Sequence, residues 1–174
     1  MEEYEKAVKD FADSKKNFQF TNEGIAHAAI VVTNLIRTTE SILRIYSGCL
    51  HKDVANNKYL VSSLKVFLEK GRNINLILDY LPEEDEQSEA LKQIINLEKN
   101  VLNNVKIKID NNQKFSNSVA TIFTDNLPHH FIVSDNLAYR FEVDAQNYKA
   151  ICNFNNKEVA EVLIKTFDEY FNEL

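Results

Sequence analysis

The chain has 174 residues, 44% of them hydrophobic and 26% charged, with three glycines and two prolines. That excludes intrinsic disorder, collagen and low-complexity fibre, and it leaves enough chain for one domain with a core of its own. A net charge of −6 argues against a generic binder of nucleic acid or anionic membrane, and two cysteines, Cys49 and Cys152, are too few for a disulfide scaffold or a thiolate zinc site.

The cysteines read as buried thiols of a reducing compartment. The first 16 residues are charged throughout and lack the apolar centre of a signal peptide. The longest apolar stretch, 25–36, is interrupted by His27, Thr33 and Asn34, and a membrane span needs about 20 apolar residues. A cytoplasmic setting with no membrane partner is expected.

In chain order, Tyr4, Val8 and Phe11 recur at helical spacing and predict a helix over 2–14. Residues 1–20 are read as an N-terminal helical extension of a single domain spanning 1–174. Thr21 or Asn22 is a candidate cap for a second helix carrying Ile25, Ala29, Val32, Leu35 and Ile36. His27 on that helix reads as a satisfied core histidine. A strand is predicted over 41–47. A helix with Tyr59, Leu60, Leu64, Phe67 and Leu68 follows, ended by Gly71, which tolerates the left-handed conformation past a helix end.

Residues 73–79 predict a strand covered on both faces. The acidic run 83–86 and Glu89 precede a fourth helix with Leu91, Ile94, Ile95, Val101 and Leu102, where negative charge suits the helix dipole. Alternation over 105–109 predicts a strand with one wetter face, and a short strand is expected near 119–123. Strands over 130–134, 138–143 and 149–154 come next, with Asn136 in the first turn. Asn155 and Glu158 read as a capping box for a last helix with Val159, Val162, Leu163, Phe167 and Tyr170 on one face. The expected fold class is α/β, a single mixed β-sheet flanked by helices, with no linker or internal repeat.

The segments 129–135 (His-His-Phe-Ile-Val-Ser-Asp), 137–142 (Leu-Ala-Tyr-Arg-Phe-Glu) and 150–154, with the final helix, resemble the second half of a phospholipase D-like domain. The segments 42–48 and 75–79 resemble its first half. The resemblance implies a phospholipase D-like sheet and a motif H-x-K-x-x-x-x-D that attacks phosphodiesters. Here that motif is degenerate. Registering on Asp135 puts Pro128 at the nucleophile and His130 at the lysine, while registering on His129 puts Phe131 at the lysine and Asn136 at the aspartate. Phe141 and Glu142 stand where the family has Gly-Ser. The contiguous His51-Lys52-Asp53 has the wrong spacing and reads as a solvated loop.

The family's chemistry needs an imidazole nucleophile, a second imidazole as acid and cations on the phosphoryl oxygens. Proline supplies none of this, and Glu142 would repel phosphate by about 1 kcal/mol at 4 Å in water and more in a cleft. The resemblance therefore implies a pseudoenzyme acting as a binding or assembly module, as a homodimer or with a protein partner subunit, within a microbial antiviral defence or mobile-element system. Nucleic acid is not the expected partner.

The alternative is a divergent phosphodiesterase or nuclease using His129 or His130 with Asp135 and Glu142. A second alternative is a sensor of a small phosphorylated ligand held by His130, Asp135, Arg140 and Glu142. Arg140 and Glu142 share a strand face, where an ion pair is expected. Adjacent histidines point opposite ways, so neither a metal site nor a cofactor is expected.

Overall fold

The computed structural model describes residues 1–98, 104–123 and 129–174. Its described residues form seven strands in one sheet with seven helices. Three strands are parallel: β2 (Ile42–Ser47), β3 (Asn73–Leu78) and β4 (Val105–Ile109). The antiparallel strands β5 (Phe131–Ser134), β6 (Ala138–Asp144) and β7 (Lys149–Asn153) continue from β2, and β1 (Phe20–Asn22) closes the far edge, giving the order β1-β7-β6-β5-β2-β3-β4. The mixed α/β sheet predicted from the sequence is therefore present.

Alternating side chains sort the core into two layers. Leu43, Ile45, Leu76, Leu78 and Ile132 face α1 (Glu2–Asp13), α2 (Ile25–Thr38), α4 (Lys58–Glu69) and α5 (Glu89–Glu98). Tyr46, Ile77, Phe131, Val133 and Phe141 face α6 (Lys114–Phe123) and α7 (Lys157–Glu173). Arg44 anchors α7 through a two-pronged bond to Asp168, at 2.8 and 2.9 Å. His27 is half-buried and stacks on Tyr4 at 3.9 Å, so it belongs to the α1–α2 seam and not to the deep core.

Several local expectations need correction. Thr21 and Asn22 do not cap α2. They lie in β1, and α2 starts from Gly24 at φ 84°, whose N–H donates to the Asn147 carbonyl. The segment 119–123 is the end of helix α6. Asp110, fully buried, accepts from the N–H groups of Lys114, Phe115 and Ser116 and so nucleates the helix, with Phe115 and Val119 on its inner face.

Asn156, not Asn155, caps α7 through the Val159 N–H. The buried face of that helix carries Ala160, Leu163, Phe167 and Phe171, leaving Val159 and Val162 exposed. The acidic run 83–86 lies in the turn before α5 and not in its first helical turn. Asp135, at φ 51°, takes the left-handed position in the β5–β6 turn. Cys49 is half-buried and accepts from the Tyr80 hydroxyl at 3.3 Å, whereas Cys152 is buried as expected. Val101, Leu102 and Pro128, named above, lie outside the described residues.

Gly71 ends α4 at φ 68°, with Lys70 and Gly71 N–H groups donating back into the last turn. Among the described residues no helix is long and apolar enough to cross a membrane.

Candidate functional site

The pairing of the strands carries their functional side chains to one edge of the sheet. There β2 and β3 end, β5 begins and β6 ends. In open α/β sheets the carboxyl ends of parallel strands leave a crevice where ligands bind. At this edge the chain brings together Asp79 just after β3, His130 just before β5, Arg140 and Glu142 from β6, and Asn22 from β1.

His130 sits between two carboxylates. Its Nδ1 is 3.1 Å from Glu142 Oε2 and its Nε2 is 3.2 Å from Asp79 Oδ2. Burial alone would lower the pKa of the ring, but hydrogen bonds to Asp79 and Glu142 outweigh it and push it up to about 9. The ring is therefore an imidazolium at neutral pH. Burial would likewise raise Glu142, yet His130 and Arg140 hold its carboxyl below the usual range.

Arg140, only 5% exposed, donates Nη1–H to Glu142 Oε1 at 2.8 Å, Nε–H to Asn22 Oδ1 at 3.0 Å and Nη2–H to the Tyr148 carbonyl at 3.2 Å. Tyr46 completes the chain by donating its hydroxyl to Asp79 Oδ1 at 2.9 Å. Burial and the neighbouring carboxylates hold the Tyr46 phenol well above its ordinary value, so it stays a donor. Two carboxylates thus face two cations, and the cluster is neutral.

The remaining candidates from the sequence lie elsewhere. His129 points to the opposite layer, stacks on Phe141 at 5.1 Å and has Nδ1 2.9 Å from the Glu142 carbonyl. Asp135 is at the far end of β5, roughly 16 Å along the strand from His130. It accepts from the N–H groups of Glu40, Ser41 and Ile42 at 2.8, 2.9 and 3.0 Å. The structure therefore does not bring His129, His130, Asp135 and Glu142 together as one catalytic set. His51, Lys52 and Asp53 begin the short α3 (Lys52–Ala55), with His51 as its cap. Sequence reasoning missed Asp79, Tyr46, Asn22 and Tyr148 as site residues. Only Asp79 carried a signal, as the carboxylate ending an apolar parallel strand.

Below the cluster lies a cavity of about 290 Å³ between the sheet and α2, α4 and α5. Its floor is aliphatic, and its mouth is formed by the 48–51 loop, Tyr80 and the β6–β7 turn. Leu50 and Tyr148 at the mouth hold φ of 54° and 52°, conformations costly for side-chain-bearing residues. The Tyr148 hydroxyl donates to Asp53 Oδ2 at 2.9 Å. Among the described residues no group of His, Cys, Asp and Glu could hold a metal ion.

No family model matches the chain, and no curated protein matches it. Among solved structures it is similar to TrmBL2, an archaeal chromatin protein whose structure shows a novel mode of DNA binding. The two superpose with a TM-score of 0.62 at 12% identity, over 99% of this chain and 60% of that one. The likeness is one of fold, and this chain spans 60% of the length of the chain it matches. That finding overturns the phospholipase D assignment. The strand–turn–strand pattern that carried the resemblance is real, but its histidines face opposite layers and its aspartate ends a different job at the other end of β5.

Proposed function

We propose that this chain is a non-catalytic binding module that senses a small molecule in the cavity beneath the His130 cluster. The observation that carries the reading is the combination of that cavity with a cluster whose charges balance one another. An imidazole nucleophile needs a free lone pair. Both nitrogens of His130 are engaged and its ring is protonated, which argues against phosphodiesterase or nuclease chemistry. A neutral cluster offers no surplus cation for a phosphate, which also argues against a phosphorylated ligand.

The test is a melting-temperature screen of a chemically diverse library on the wild type and on Ala90→Leu, which places a larger side chain in the cavity wall. Compounds that raise the wild-type melting temperature and lose the effect in the variant support the reading. A library with no such compound overturns it. DNA binding, stated of TrmBL2, is disfavoured here by the net charge of −6. Tight, salt-dependent binding of duplex DNA would replace the sensing reading. Solution mass with and without a ligand would show whether the module works as a homodimer or awaits another subunit.

A further inference from the structure

The cavity has an aliphatic end and a charge-balanced end, and together they define a class of occupant. Val32, Leu43, Leu64, Ala90 and Ile94 line the inner part, and all are at most 9% exposed. Aliphatic cavity walls accept apolar guests, and an enclosed apolar cavity of about 150 Å³ holds benzene. At about 290 Å³, polar end and mouth included, this one has room for an occupant, body and head group together, about twice that size.

We infer that the occupant is an uncharged amphiphile, with an aliphatic or aromatic body larger than benzene and one hydroxyl or carboxamide that meets Arg140 and Glu142. This inference rests on the sensing reading and specifies its ligand. Arg140 and Glu142 both line the cavity. A guanidinium carries five N–H donors, and three of those of Arg140 are spent on Glu142, Asn22 and Tyr148. Glu142 accepts one bond on each oxygen, from Arg140 and His130, which leaves further acceptor capacity. A donor and an acceptor side by side match a hydroxyl or a primary amide.

Charge excludes the alternatives. Asp79 and Glu142 oppose Arg140 and His130 one for one, so an incoming anion or cation gains no net attraction. It would still lose its hydration on entering a site walled by hydrocarbon. A neutral polar group loses far less and recovers it in hydrogen bonds.

The experiment uses one body with four head groups: heptanamide, heptanoate, heptylamine and heptyl phosphate, titrated calorimetrically into the full chain. Benzene and dissolved xenon serve as head-group-free probes of the cavity. The expected result is that heptanamide binds at least about tenfold more tightly than the three charged analogues, a difference of about 1.4 kcal/mol. Ala90→Leu should abolish that binding, and Val32→Leu, a single-methylene insertion in the same wall, replaces it if the first variant does not fold.

Tighter binding of heptanoate, heptylamine or heptyl phosphate overturns the neutral-head class while leaving a small-molecule site. Entry of benzene or xenon with no binding of any heptyl compound overturns the inferred body and head together, again leaving an accessible cavity. Failure of every probe, xenon included, means the cavity is closed, and then the sensing reading falls as well.

Discussion

Tyr148 and Asp53, 95 residues apart, meet at 2.9 Å and tie the β6–β7 turn to α3 across the mouth of the cavity. The same tyrosine uses its carbonyl to accept from Asn22 at 2.6 Å and from Arg140 at 3.2 Å. One residue therefore touches the charge cluster with its backbone and the mouth with its side chain. Its left-handed backbone is held by these bonds on both sides.

Tyr148→Phe removes only the mouth contact. The bond is exposed, so the loss of global stability should be about 1 kcal/mol or less. Backbone amides of 51–55 should exchange several-fold faster, read by hydrogen–deuterium exchange mass spectrometry. Unchanged exchange in that segment would show that the contact does not restrain the mouth.

The pH dependence of stability has a definite sign. His130 is raised from 6.5 to about 9, so its contribution is complete below 6.5 and lost as pH rises through about 9. Glu142 is lowered from 4.5, so its contribution is present above 4.5 and lost as pH falls through its folded value. The groups facing the imidazole are Asp79, Glu142 and Tyr46, with Arg140 behind Glu142. Urea denaturation should show maximal stability near pH 5–6.5 and a decline towards pH 9.5. In His130→Gln the part of that decline between pH 7 and 9.5 should disappear, and equal slopes in the two proteins would remove His130 as its source.

Arg140→Ala leaves the Glu142 carboxylate buried beside a single cation. Breaking such a pair from one side costs about 3–5 kcal/mol. Arg140→Met combined with Glu142→Leu removes both charges and should recover a substantial part of that loss, although His130 then keeps only Asp79. Chemical denaturation of Arg140→Met, Glu142→Leu and the double variant measures the coupling directly. Additive losses would mean that the pair is not coupled.

Asp135→Ala strips three backbone N–H groups of their acceptor where β2 starts. A loss of about 2–3 kcal/mol in urea denaturation is expected, with ligand affinity unchanged because Asp135 is not among the residues that line the cavity. A change in affinity without a change in stability would return Asp135 to the site.

Much of the fold was legible because its signals are local. The alternation of 105–109 and the apolar runs at 42–47 and 74–78 mark strands without knowledge of their neighbours. The failures fall where a remote or single residue decides. Helix α6 depends on Asp110, which caps it from beyond the helix, and the α7 face turns on whether Asn155 or Asn156 takes the cap. Within the site, Arg140 and Glu142 pair as period-two spacing requires. Asp79 joins His130 from 51 residues away, through a strand order that periodicity does not encode. The family assignment failed for the same reason, since a strand–turn–strand pattern records spacing along the chain but not which face each imidazole takes.

The charge cluster also bears on how long a folded molecule persists. Its bonds close loops of 51 residues between Asp79 and His130 and 118 residues between Asn22 and Arg140. Loops of that length are entropically expensive to close before the intervening strands have docked. The cluster should therefore assemble after the rate-limiting barrier, and removing a member should speed unfolding while leaving refolding nearly unchanged. In that case the buried ions act as a kinetic clasp, setting the lifetime of a sheet that the hydrophobic layers have already built.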